Sequence, residues 1–273
     1  MKFLDPTNDV AFRKVFADEN HKEVLISFLN AVLGLSEPNE IVEVEIDKTQ
    51  QPPPLGGMKE PILDVRCRDK RGVVFIVEMQ VAKQHHFDKR LLFYASRAYT
   101  NQLATGDDYP KLNQVIMIVV TDFELTANPN YLSRHQILDK DTGEQLLKDF
   151  EFFFVELPKF SKGESELATW IDKWLYFLKN AKKLEATPDV LQETPIETAF
   201  DSLKRFNWTL EEFEYYEKRG IYLQDEIQRA LFQFNRGKAE GKAEIVLNLR
   251  KRKKMIDEEI ADFLDLPLAF VQS

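Results

Sequence analysis

A chain of 273 residues, 44% hydrophobic and 30% charged, has room for one large domain or a main domain with an appendage, and this composition is typical of a soluble globular protein. A single cysteine, Cys67, excludes an internal disulfide, and the absence of a signal peptide or long apolar run predicts a cytoplasmic protein without a membrane segment. The net charge of −9 argues against nucleic-acid binding by the whole surface, so any such binding must depend on local basic patches.

The first predicted element is a helical segment over residues 5–34. Its apolar residues recur at helical spacing, Thr7 or Asn8 is suited to cap its start, and Gly34 is suited to end it. Asp9 lies near the helix start, where the helix dipole favours an anion. This placement alone gives Asp9 a structural role.

A short strand and a loop follow. Hydrophobic and acidic residues alternate over residues 41–46, which predicts a first strand. The prolines and glycines of residues 50–57 cannot continue it and predict a loop. Such a loop is either mobile in the absence of substrate or an inert connector.

Residues 61–80 predict a β-hairpin, because two β-branched, alternating runs flank a charged turn that ends in Gly72. If the loop is residues 70–72, with the glycine in the left-handed conformation, Asp64 lies directly opposite Glu78. A two-residue turn would shift the register by one residue and place the two carboxylates on different faces.

Two facing carboxylates suggest a metal site. Cross-strand neighbours are about 5 Å apart at Cβ, so two ionised acids repel each other unless a cation lies between them. Carboxylate oxygens, water and a substrate phosphate suit Mg²⁺, which would polarise the phosphate and activate the attacking water. The alternative is an edge hairpin with solvent-facing acids, in which Arg66 and Arg68 are weak cross-strand partners.

The pattern Pro61-x-x-Asp64, thirteen residues, then Glu78-x-Gln80 resembles the signature of the PD-(D/E)XK nucleases. The opening Asp5-Pro-Thr-Asn-Asp-Val-Ala-Phe12 and a helix containing Arg90 and Tyr94 are similar to one branch, the bacterial Rpn family of recombination-promoting nucleases, often labelled transposases. The resemblance covers residues 3–160 and, more loosely, the C-terminal tail.

The resemblance implies a DNA nuclease with a restriction-endonuclease-like core that cuts to leave a 5′ phosphate. Asp64 and Glu78 correspond to the metal ligands for Mg²⁺, with Mn²⁺ as a substitute, and Asp9 gains a second role as an acid that completes the cluster. Gln80 stands where most of the superfamily has lysine. A neutral amide orients water or substrate only through hydrogen bonds, so slow turnover is expected.

Residues 85–102 predict a helix with an apolar stripe and a neighbouring polar face that carries Arg90 and Arg97. A planar guanidinium suits phosphate, so both arginines are candidate DNA-binding residues, against the alternative of a solvated face or an ion pair. Continuous apolar residues 114–121 predict a buried strand parallel to the hairpin's second strand, and residues 152–157 predict a further strand. The predicted fold is therefore α/β, an α-β-β-β-α-β mixed sheet flanked by helices, with an α-helical C-terminal extension.

The rest of the chain predicts helices, giving three regions: a nuclease-like domain over 1–160, a helical extension over 161–222 and a basic tail over 223–273. Nothing in the extension suggests chemistry. Residues 229–254 hold nine Lys or Arg and two acids, and two short helices around a turn follow. Such a tail binds DNA phosphates or forms a homodimer. The candidate DNA-binding residues in the tail are Arg250, Lys251, Arg252, Lys253 and Lys254.

These features together predict a Mg²⁺-dependent DNA endonuclease that acts in recombination or transposition. One rival is a DNA-binding module that keeps the nuclease fold without turnover, which Gln80 suggests. Another is a metal-independent hydrolase that uses Asp64 and Glu78 as an acid/base pair.

Overall fold

The computed structural model describes residues 2–47, 64–84, 86–253 and 255–272. The predicted loop over residues 50–57 and Pro61 of the motif lie outside the described residues, as do His85 at the predicted start of the arginine-bearing helix and Lys254.

Strands and helices are interspersed up to residue 156, and helices follow. The helices are α1 (Asp9–Phe16), α2 (Lys22–Leu33), α3 (Phe87–Thr100), α4 (Trp170–Asn180), α5 (Pro195–Ser202), α6 (Leu210–Lys253), α7 (Asp257–Leu264) and α8 (Leu268–Gln272). The strands are β1 (Val44–Ile46), β2 (Val65–Asp69), β3 (Val74–Gln80), β4 (Val115–Thr121), β5 (Leu132–Gln136) and β6 (Phe150–Glu156).

Across the described ranges the strands form a six-stranded mixed sheet in the order β1-β2-β3-β4-β6-β5. β1, β2 and β3 are antiparallel neighbours, β3, β4 and β6 run parallel, and β5 is antiparallel to β6. α3 supplies the crossover that two parallel strands in one sheet require. This architecture confirms the predicted restriction-endonuclease-like α/β fold, with β5 as an additional edge strand.

Successive side chains of a strand point to opposite faces of the sheet, and helices pack against both faces. Phe75 and Val77 of β3 belong to the main core, which α1, α2, α4 and α5 share. Val74 and Ile76 point the other way, into a smaller core beneath α3. All seven residues of β4 are buried, as its continuous apolar sequence predicts for a central parallel strand.

The N-terminal segment is two helices rather than the single predicted helix over residues 5–34. Asn8 caps α1 by accepting a hydrogen bond from the Val10 amide, and Gly34 ends α2 in the left-handed conformation. Between them the Asp18 carboxylate accepts a hydrogen bond from the Asn20 amide. This local turn competes with the helix and separates α1 from α2.

The chain divides into two compact units, residues 1–223 and 224–273. In the first unit, helices of the predicted extension add Trp174, Phe177 and Phe200 to the main core beside the sheet. The second unit has its own small apolar cluster, with the fully buried Ile260 of α7 and Val271 of α8. No helix in the described part of the chain combines the length and apolar character needed to cross a lipid bilayer.

The turn of the β2–β3 hairpin depends on Gly72, which has φ +85°. A Cβ at this position would also lie 2.8 Å from the Asn113 Oδ1. Gly72→Ala is therefore expected to lower the free energy of unfolding by about 1–2 kcal/mol, measured by urea denaturation. Gly106→Ala is the matched control, because Gly106 has φ +92° and open space around it. Equal losses in the two variants would show that the Asn113 contact costs nothing.

Candidate active site

The β2–β3 hairpin brings Asp64 and Glu78 together. Val65 pairs with Val77 and Arg68 with Val74. This register, extended by one pair, places Asp64 opposite Glu78, as the three-residue loop predicts. Asp64 Oδ2 also accepts a hydrogen bond of 2.8 Å from the Met79 amide, which fixes the carboxylate against the end of β3.

Both carboxyl groups of this pair have raised pKa values. Burial raises the pKa of Asp64 from 3.8 to about 6, against the lowering effects of the Met79 hydrogen bond and of the Arg13 and Arg219 charges. Glu78 is only 7% exposed, and burial together with the Asp64 charge holds its pKa well above the usual value. Two acids that resist ionisation side by side are a feature of functional sites.

The Asp64–Glu78 pair fits a small divalent cation. Glu78 Oε1 is buried and has no hydrogen-bond partner among the described residues, so a carboxylate oxygen is available for a ligand. The described residues contain no cluster of three or more acidic, histidine or cysteine side chains able to hold a metal. Mg²⁺ is commonly bound by one or two carboxylates, with water and substrate phosphate completing its octahedron. The pair meets that requirement.

Gln80 and Arg90 are bound to each other. Arg90 Nη2 donates to Gln80 Oε1 at 2.6 Å, and Arg90 Nη1 donates to Gln84. The amide nitrogen of Gln80 donates to the Ala82 carbonyl, so both ends of this amide are engaged. The Arg90 guanidinium lies 5.1 Å from the centre of the Phe87 ring. Its charge lowers the pKa of Glu78, which places Arg90 beside the acidic pair.

Tyr94 also borders the site. The Arg90 guanidinium lies 5.9 Å from the centre of the Tyr94 ring. Burial raises the pKa of the Tyr94 hydroxyl, the nearby Arg90 charge lowers it, and the charges of Glu78 and Asp64 raise it further. The half-buried ring of this α3 residue packs against the smaller core, and its hydroxyl lies within electrostatic range of the acidic pair.

Asp9 is near the pair but has partners of its own. Asn8, rather than Asp9, caps α1. The Nη2 atom of Arg219, in α6, lies 2.7 Å from Asp9 Oδ2. The Nη2 atom of Arg13 lies 3.7 Å from the same oxygen. The Asp9 charge raises the pKa of Asp64, which shows that the three acids share one neighbourhood.

The remaining predicted DNA-binding residues are Arg97 of α3 and the basic residues of the C-terminal unit. The prediction that Arg97 lies on an exposed polar face of α3 is wrong, because the residue is only 7% exposed. The structure therefore offers no support for a phosphate contact by Arg97. Arg250 pairs with Asp257 at 2.7 Å and donates to the Val271 carbonyl, within the C-terminal unit. Lys251 is exposed at the end of α6, whereas the side chains of Arg252 and Lys253 and the whole of Lys254 are not described.

Cys67 of β2 is fully buried. Burial raises the pKa of its thiol, and the Asp47 and Asp69 charges add to the effect. The thiol is a packing group rather than a nucleophile.

Arg13 and Arg219 were not among the site residues predicted from the sequence. Arg13 is four positions after Asp9, so it lies on the same side of α1, and this spacing was an available signal. Arg219 lies in a region with no recognisable chemistry, 210 positions after Asp9. Only the packing of α6 against α1 brings it to the site.

A family model described as PD-(D/E)XK nuclease family transposase matches residues 6–230. The matched range includes Asp64, Glu78, Gln80 and Arg90, and extends through the helices to Arg219. Comparison with curated proteins gave no match, and comparison with solved structures gave none.

Proposed function

This chain belongs to the PD-(D/E)XK nuclease family transposases, and from that premise we propose that it is a Mg²⁺-dependent endonuclease that hydrolyses phosphodiester bonds in DNA. The observation that carries the proposal is the Asp64–Glu78 pair, whose carboxyl groups have raised pKa values and include a buried oxygen without a hydrogen-bond partner among the described residues. The charges of nearby arginines also act on this pair. Family membership supports a nuclease-like role, and the pair supports the metal dependence.

Asp64 and Glu78 hold the metal ion in this proposal, with Mn²⁺ as a substitute for Mg²⁺. When bound, the ion would supply polarisation of the scissile phosphate and a lower pKa for the attacking water. The protein contributes two prepositioned carboxylates, one of them fixed by the Met79 amide. Both lie in a partly buried site, where electrostatic interactions are stronger than in water.

Arg90 neutralises phosphate charge in this proposal, and Gln80 acts through it. The 2.6 Å hydrogen bond from Arg90 to Gln80 restrains the guanidinium beside Glu78. A glutamine cannot donate a proton as lysine does, so it positions groups without joining in proton transfer. The 5′-phosphate product would supply strand ends for recombination or transposition in the cytoplasm. DNA binding or homodimer formation through α7 and α8 is the proposed role of the C-terminal unit.

Metal dependence is tested with supercoiled plasmid DNA. Nicking or linearisation is expected in Mg²⁺ or Mn²⁺, loss of cleavage in excess chelator, and recovery when Mg²⁺ is restored, with ends that DNA ligase can seal. Asp64→Ala is expected to remove cleavage. Glu45→Gln, which changes an exposed acid of β1, is the matched control and should cleave as wild type does.

Two outcomes would contradict the proposal. Cleavage that persists in chelator would favour the metal-independent acid/base hydrolase. DNA binding without cleavage in either metal would identify a module that keeps the fold without turnover. The hydrogen bonds of the Gln80 amide to Arg90 and Ala82 would then help to explain the lack of turnover.

A further inference from the structure

We infer that Arg219 and Arg13 form a phosphate-binding site next to the Asp64–Glu78 pair, which holds the DNA backbone beside the scissile bond. In this arrangement Asp9 is a positioning residue for Arg219 and does not bind the metal. The inference rests on the proposed nuclease function and assigns a DNA contact to the first part of α6, residues 210–222, where the sequence suggested no chemistry.

The Arg219 guanidinium is fixed from two directions. Its Nε donates to both oxygens of Asp9, at 3.1 and 2.9 Å, and its Nη2 lies 2.7 Å from Asp9 Oδ2. The Tyr222 ring lies 4.7 Å from the guanidinium carbon, at a distance suited to a cation–π contact. A guanidinium held in this way loses less conformational entropy when it binds a ligand.

The site is open to solvent and close to the acids. The side chains of Arg219 and Arg13 are 28% and 29% exposed, so both reach the surface. The charges of both arginines act on Asp64, so the two guanidinium groups lie within electrostatic range of the proposed metal ligands. A phosphate bound by these arginines would therefore lie near the one undergoing hydrolysis.

Asp9 and Glu78 differ in how their oxygens are used. Both oxygens of Asp9 accept hydrogen bonds from Arg219, and Arg13 lies 3.7 Å from Oδ2. Glu78 Oε1, in contrast, is buried without a hydrogen-bond partner among the described residues. A cation would therefore bind more favourably at the unpaired Glu78 oxygen, because it would have to displace an arginine to reach Asp9. This contrast separates the metal ligands from the positioning acid.

Phosphate is the ligand that these arginines fit best. Guanidinium groups bind phosphate through two parallel hydrogen bonds and keep their charge at all physiological pH values. The Asp9 pair uses Nε and Nη2 and leaves Nη1 of Arg219 outside it. The rival explanation is purely structural, since the Arg219–Asp9 pair also fastens α6 to α1.

The salt dependence of DNA binding separates these two explanations. Binding of the 273-residue chain to a duplex oligonucleotide is measured in chelator, without cleavage, over a range of salt concentrations. Each phosphate contact contributes about −0.9 to the slope of log K against log salt concentration. Arg219→Gln is expected to weaken binding about tenfold and to reduce the slope by about one. Lys218→Gln, which removes a neighbouring exposed charge from α6, should change the slope by much less.

Asp9→Asn tests the positioning role. We expect weaker DNA binding and an unchanged Mg²⁺ concentration for half-maximal cleavage, whereas loss of a metal ligand would raise that concentration. If a thermal melt shows that Arg219→Gln is not folded, Arg13→Gln is the second variant. Its slope of log K against log salt concentration is expected to be reduced in the same way. An unchanged slope in the folded arginine variants would overturn the inference while leaving cleavage by wild type intact. A reduced slope without cleavage by wild type would overturn the proposed function alone.

Discussion

Glu78→Gln is expected to reduce DNA cleavage by about 10³-fold and, at the same time, to make the metal-free protein more stable at neutral pH. The loss follows because a neutral amide is a much poorer ligand for Mg²⁺ than a carboxylate. The gain follows because Glu78 is buried beside Asp64, and ionisation there costs free energy that an amide does not. We expect the free energy of unfolding to rise by about 1–3 kcal/mol.

Plasmid cleavage and urea denaturation of the same preparations measure the two effects. Glu45→Gln is the control, because it removes one exposed carboxylate of β1 without touching the pair. An inactive Glu78→Gln protein that is also less stable would mean that the carboxylate supports the fold, and the proposed metal role would lose its main argument. Glu78→Ala is less informative because it also leaves a cavity.

The metal-free protein is expected to lose stability as the pH rises from about 4 to 7. The pKa of Asp64 rises from 3.8 in its ordinary state to about 6 in the folded chain, and that of Glu78 is raised as well. Between the two values the folded state binds more protons than the unfolded state, so the free energy of unfolding falls with increasing pH. One pKa unit corresponds to about 1.4 kcal/mol, so Asp64 accounts for a loss of up to about 3 kcal/mol.

Denaturation at pH 5 and pH 7.5 measures this loss, and the double variant Asp64→Asn with Glu78→Gln isolates it from other titrating groups. The difference between wild type and the double variant should grow as the pH rises. Mg²⁺ should restore the stability of wild type at pH 7.5 and leave the double variant unchanged, because a ligand stabilises only the state that binds it. A difference that is independent of pH would argue against the raised pKa values.

Local turn chemistry explains why the hairpin could be predicted. The left-handed position of Gly72 determines the loop length, the loop length determines the register, and the register brings Asp64 opposite Glu78. The continuous apolar run of β4 was equally informative, since few other elements bury every side chain. Each of these signals lies within about twenty residues of sequence.

Other features depend on contacts between distant segments and left weaker traces. β5 has the polar sequence Leu-Ser-Arg-His-Gln and is an edge strand that pairs with β6, where Arg134 binds Glu151 at 2.7 Å. Arg97 is buried although its sequence position favours a polar face, because the packing of α3 decides its environment. Arg219 and Asp9 come together only through the packing of α6 against α1.

Cys67 gives this protein a practical advantage for experiments on bound DNA. It is the one cysteine in the sequence, and it is fully buried in β2 with a raised thiol pKa, so maleimides and disulfide reagents should leave the native protein unmodified. A cysteine introduced at an exposed position such as Lys218 would then be the single reactive thiol. Fluorophores or cross-linkers attached there can report where a nucleic-acid strand runs, with no need to remove the natural cysteine first.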